Sequence, residues 1–136
     1  MGVLFKNSDV TIYNKYYDKV KDCDMYQRTV LKGVNWQGKR NVTVGDKGLL
    51  TDDSVFIFID KLNNYIGPKK FNMLSDQERI NYFTFNPGDK VVKGECDFHY
   101  KGIKGATLKD LENNYDDVLD ILGCTPWSNH FEVEGK

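Results

Sequence analysis

The chain has 136 residues, of which 40% are hydrophobic and 13% aromatic, enough for one domain with a sizeable buried core. Its 19 basic and 20 acidic side chains leave a formal charge of −1, which disfavours general binding to a nucleic-acid backbone or an anionic membrane surface. Three cysteines at irregular spacing, Cys23, Cys96 and Cys124, follow no charged-then-apolar leader, so a reduced, cytoplasmic interior is the expectation, and no apolar run approaches the ~18 residues of a spanning helix.

In chain order, residues 1–8 read as a short arm whose apolar material is Val3, Leu4 and Phe5. Val10 and Ile12 alternate with Thr11 and Tyr13, which predicts a first strand over 10–17. The Lys- and Asp-rich stretch 18–24 reads as a solvated hairpin loop, and 25–36 as a long second strand in which Gly33 marks a bulge or bend. From 37 to 54, Gly38, Gly45 and Gly48 are interspersed with Lys39, Arg40, Asp46, Lys47, Asp52 and Asp53. This predicts a long surface loop, with 42–44 as a short strand inside it. Val55-Phe56-Ile57-Phe58-Ile59 is apolar on both faces and predicts a strand in mid-sheet or against a neighbouring subunit. Residues 63–70 read as a second, polar loop.

Ser75 with Glu78 three residues on is the capping-box signature of a short helix. Residues 82–100 then place two alternating runs around Asn86-Pro87-Gly88-Asp89, where proline presets φ and glycine accepts a positive value. The expectation is a β-hairpin with Phe83 and Phe85 on one face, Cys96, Phe98 and Tyr100 sharing another, and Gly94 as a bulge or second bend. Gly102 and Gly105 break the chain, Thr107 to Asp110 starts a brief helix with Leu108 and Leu111 on one side, 117–122 returns to strand alternation, 124–129 turns, and 130–134 forms the last strand. The sum is a mainly β single domain over 1–136: a small β-barrel of about seven short strands with one or two short helices and a long loop.

Specific chemistry finds little support. Cys96-x-x-His99 has the spacing of half a zinc site, yet Cys124 and His130 are the only other mixed candidates, and within a strand Cys96 and His99 point to opposite faces. No nucleophile signature accompanies the two histidines, no P-loop follows the glycines near Val44, and the pairs Asp52-Asp53 and Asp116-Asp117 suit solvated turns better than cation binding. The expectation is a protein without catalytic, metal or cofactor residues. Aromatic strands flanked by Lys39, Arg40, Lys69, Lys70, Lys101 and Lys104 raise an alternative, an OB-like barrel binding single-stranded nucleic acid, against which stand the core-facing aromatic periodicity and the net charge.

Several pieces taken in order resemble the small head–tail connector proteins of tailed phages and prophages of Gram-positive bacteria, often labelled minor capsid proteins. They are Val10-Thr11-Ile12-Tyr13, residues 26–36, Lys47-Gly48-Leu49-Leu50-Thr51-Asp52-Asp53, Asn86-Pro87-Gly88-Asp89 through Gly94, Leu108-Lys109-Asp110-Leu111 and 130–136. Each motif is weak alone; the order, the Pro-Gly-Asp piece and the terminal Val-x-Gly-Lys carry the resemblance, and Asp60-Lys61-Leu62 departs from its proline-marked turn. The resemblance implies a stopper or head-completion ring, hexameric or dodecameric, in the virion neck. Such a ring assembles in the bacterial cytoplasm, sits between a portal or adaptor ring and a tail terminator or tail tube, surrounds packaged double-stranded DNA and touches no membrane. Within it, Lys39, Arg40, Asp46, Lys47, Asp52 and Asp53 are candidates for a channel or gating loop, with 63–70 second. Val3, Leu4, Phe5, Trp127, His130 and Phe131 are candidates for ring contacts. A tail terminator is the neighbouring alternative.

Overall fold

A computed structural model describes the backbone of residues 5–45 and 48–136 and, outside 39–53, their side chains. Six strands, β1 (Ser8–Asp18), β2 (Cys23–Gly45), β3 (Gly48–Asp60), β4 (Lys90–Lys93), β5 (Val118–Pro126) and β6 (His130–Gly135), close into a barrel. The order around it is β1-β2-β3-β6-β5-β4, with every neighbouring pair antiparallel. Three short helices lie between strands: α1 (Pro68–Met73), α2 (Asp76–Arg79) and α3 (Leu108–Asn114).

Period-2 alternation fills the interior. Val10 and Ile12 of β1, Ile57 and Ile59 of β3, Val91 of β4, Ile121 of β5, and Phe131 and Val133 of β6 join Leu31, Val34, Phe83 and Phe85 in one buried cluster. Burying each such side chain contributes about 1.5–3 kcal/mol. Residues 55–59 therefore sit in mid-sheet, paired with β2 and β6, with Ile57 and Ile59 inward while Phe56 and Phe58 remain half-buried outside. Gly33 takes φ +71° where the β1–β2 register slips between Ser8 and Val10, and its N–H donates to Asp9 Oδ1 at 2.9 Å, so the expected bulge is present.

The outer face carries a second core of Tyr13, Val92, Cys96 and Leu111, with Tyr26, Phe98, Leu108 and Val118 packed against it. Its cover is the segment between β4 and α3, and this corrects the expected hairpin. Residues 95–100 alternate in burial as predicted, but they form no strand. Their backbone is tied instead by side chains of the barrel wall. Thr11 Oγ1 donates to the Gly94 carbonyl (2.9 Å) and accepts from Cys96 N–H (2.8 Å), Arg28 Nε donates to the Cys96 carbonyl (2.6 Å), and Tyr13 Oη donates to the Phe98 carbonyl (2.7 Å). Gly94, at φ +88°, makes the bend that leaves the strand. Residues 82–86 likewise pair only through a Tyr65↔Phe83 bridge, and 42–44 belongs to β2, so six strands replace the expected seven or so.

α1 was not expected in the polar stretch 63–70. Gly67 is its N-cap and Pro68 its first residue, a position where the missing N–H of proline costs nothing, and it anchors through buried Phe71. The predicted caps of the other two helices are present: Ser75 Oγ accepts from Glu78 N–H, and Thr107 forms a full capping box with Asp110.

Candidate functional site

The expected long loop at 37–54 is instead a continuation of the sheet. The β2–β3 ladder runs without a register shift from Asn35↔Phe58 to Gly45↔Gly48. The barrel's other ladders stop short of it, because β1 reaches β2 no further than Val34 and β6 reaches β3 no further than Val55. Past the Gly38↔Val55 rung the two strands pair only with each other among the described residues, forming a ribbon on the order of 23 Å long at about 3.3 Å per residue. Lys39 lies opposite Ser54, Arg40 opposite Asp53, and Asn41 opposite Asp52. The ribbon's β2 strand thus carries Lys39 and Arg40, and its β3 strand Asp52 and Asp53. Asp46 and Lys47 lie outside the described residues.

The ring-contact candidates scatter. Val3 and Leu4 lie outside the described residues; Phe5 is exposed, and the chain behind it is docked on β2, where Asn7 N–H donates to the Val34 carbonyl (2.9 Å) and Asn7 Oδ1 accepts from Trp36 N–H (2.9 Å). Trp127 is half exposed, its indole N–H donating to Glu132 Oε2 at 3.1 Å, with the half-buried His130 ring nearby. Phe131 is a correction. At 1% exposure it packs against Tyr65 and Phe85 inside the barrel, because the β6 alternation turns it inward with Val133, so it offers no contact surface.

The Pro-Gly-Asp piece holds a residue whose role was not legible in the sequence. Asp89 is buried, and its carboxylate accepts from Lys15 N–H (3.0 Å), Asn86 N–H (3.2 Å) and Asn14 Nδ2 (2.8 Å). Asn14, also buried, reaches on to the Thr84 carbonyl (2.7 Å) and accepts from Thr84 N–H (3.3 Å). Burial pushes the Asp89 carboxyl above its ordinary range, with the three hydrogen bonds pulling the other way. The network ties β1 to the corner before β4, so Asp89 holds the architecture together.

Packing shields two of the three thiols. Cys96 is buried and its neighbour His99 exposed on the other side; Cys124 is half-buried, and burial pushes its thiol up to about 11; Cys23 is exposed. Among the described residues no group of three or more His, Cys, Asp or Glu is placed to hold a metal ion, and no helix is long and apolar enough to cross a membrane. Native protein treated with a thiol-reactive chromogen near pH 8 is expected to release one rapid equivalent, lost in Cys23→Ser, with the other two appearing only on unfolding. Three rapid equivalents would contradict the packing of Cys96 and Cys124.

A model of the family of unknown function DUF6751 matches residues 5–136. The chain belongs to that family. No curated protein and no solved structure matches it. The DUF6751 match takes in the whole barrel, the ribbon and the Asp89 network.

Proposed function

We propose that this chain is a structural, non-enzymatic subunit of the neck of a tailed phage or prophage particle, a stopper-type ring that joins the DNA-filled head to the tail and helps retain DNA. The observation that carries the reading is the ribbon: a closed barrel bearing a two-stranded extension past all its other ladders combines a rigid wall element with an arm able to reach a ring's axis. The ordered sequence resemblance to head–tail connector proteins supplies the identity of the ring. Near-neutral charge suits a channel wall, since a dense Lys and Arg lining would hold DNA through counterion release and slow its exit. In this reading the ribbon faces the channel, the ring contacts its own copies, a portal or adaptor ring lies above, and a tail terminator or tube lies below.

Quantitative mass spectrometry of purified DNA-filled heads, free tails and complete particles tests it. Ring-like copy number relative to the portal on heads and complete particles, with none on free tails, is the expected result. Presence on free tails would move the chain to a terminator role. Absence from every particle would overturn the reading and turn attention to oligonucleotide binding at low salt.

A further inference from the structure

We propose that the ribbon is an assembly element in which the β2 edge of one copy pairs with the β3 edge of the next, head to tail, so that successive copies build one continuous antiparallel sheet. Past Gly38↔Val55 both ribbon strands have one neighbour among the described residues, which leaves the far edge of each with backbone donors and acceptors that no ladder uses. A lone two-stranded ribbon is marginally stable in water, and a further strand on each side remedies that.

The occupant follows from charge. The β2 segment Lys39-Arg40-Asn41-Val42-Thr43-Val44-Gly45 has two basic residues and no acidic one, whereas the β3 segment Gly48-Leu49-Leu50-Thr51-Asp52-Asp53-Ser54 has two acidic residues and no basic one. The register sets Arg40 and Asp53 on one rung, with Lys39 one rung nearer the barrel and Asp52 one rung further out. Two copies meeting β2 to β2 or β3 to β3 would bring like charges together, while β2 against β3 brings opposite charges side by side. Because β2 runs away from the barrel and β3 returns, ribbons placed side by side in one orientation alternate in direction, so the new pairing is antiparallel like all the others. A contact between two different edges of one chain is heterologous, and it generates a closed ring when the rotation between copies closes. This assembly mode deepens the ring reading above, yet it can hold for the purified protein whether or not the protein is found in particles.

Charge exchange on the full chain tests it, with sedimentation velocity as the readout and cooperative thermal unfolding as the check that the barrel is intact. The unaltered protein is expected to form a concentration-dependent oligomer. Lys39→Asp with Arg40→Asp gives two acidic edges, Asp52→Lys with Asp53→Lys gives two basic edges, and each variant alone is expected to lose the oligomer. The decisive sample is an equimolar mixture of the two variants, which is expected to regain it. Mixing restores opposite charge between copies but not within a ribbon, so a mixture that stays monomeric while the chain with all four exchanges assembles would show that the charges act inside the ribbon and overturn the proposal. An unaltered protein that is monomeric at every concentration would overturn it too. Oligomers that respond to charge in this way without any chain in the particles would leave the pairing standing and remove the neck assignment, whereas chain in the particles with charge-insensitive oligomers would do the reverse.

Discussion

Replacing Asp89 with alanine is expected to lower the unfolding free energy by about 2–4 kcal/mol, since the change removes the acceptor of two part-buried backbone N–H groups, at about 1–3 kcal/mol each, and one of the two acceptors of Asn14 Nδ2, which keeps the Thr84 carbonyl. The donors are Lys15 N–H, Asn86 N–H and Asn14 Nδ2, and they belong to segments brought together by the fold. Asp89→Asn keeps the shape but points an amide N–H₂ at donors, so it recovers only part of the loss. The same carboxyl makes stability depend on pH. Its folded value is raised by burial, so the folded state holds this proton more tightly than the unfolded chain does. Its contribution is largest below the ordinary carboxylate range, declines as pH rises from there through the raised folded value, and is flat above that. Urea unfolding of the parent and of Asp89→Ala across this acidic window checks both statements. A loss below about 1 kcal/mol, or a variant whose acid-range profile keeps the parent's decline, would show that Asp89 is not the keystone of the corner.

Excising the ribbon is expected to separate folding from assembly. Gly38 and Val55 face each other across the ladder, so replacing 39–54 with Asn-Gly closes β2 onto β3 through a two-residue turn of the type such hairpins prefer. All the ladders that close the barrel lie on the retained side of that rung. Thermal unfolding of the shortened chain is therefore expected to stay cooperative and within a few degrees of the parent, a shift corresponding to roughly 1 kcal/mol or less. Its oligomer, and its incorporation into particles in a complementation assay, are expected to be lost. A shortened chain that still supports infective particles would remove the ribbon from the proposed function.

The strands legible in the sequence were those in which alternation and pairing coincide. Val10 and Ile12, Ile57 and Ile59, and Phe131 and Val133 announce their inward faces, and the ladders lie where those faces require. Alternation alone is blind to what the backbone bonds with. Cys96, Phe98 and Tyr100 alternate with exposed neighbours, but the bonds of their segment go to Thr11, Tyr13 and Arg28, whose positions only the closed barrel reveals. Glycines misled in the opposite direction: Gly38, Gly45 and Gly48 read as loop punctuation, whereas they sit in or end strands that support each other across the ribbon. Gly67-Pro68 is both a turn signal and a helix start, and the buried Phe71 three residues on decides for the helix. Among the proposed contact residues, the inward turn of Phe131 was readable from its spacing to Val133; the docking on β2 of Asn7, which was not one of them, was not readable, since its partners lie 27 and 29 residues away.

The barrel closes through its shortest strand, and this bears on how the chain reaches its fold. β1 with β2, and β2 with β3, are joined by adjacent segments and can zip from their turns, as can β5 with β6. β4 has four residues and must slot between β1 and β5, pairing Val10 with Lys93 and Tyr13 with Lys90 across most of the chain. Loop-closure entropy falls on that step, and few ladder bonds reward it until Asp89 and the outer core engage. The insertion of β4 is then an expected slow step in folding, beside the pairing of β3 with β6, which joins residues as far apart as Val55 and Gly135. A chain with β4 not yet in place would present β1 and β5 as bare edges, from which misassembly between nascent copies is expected to start.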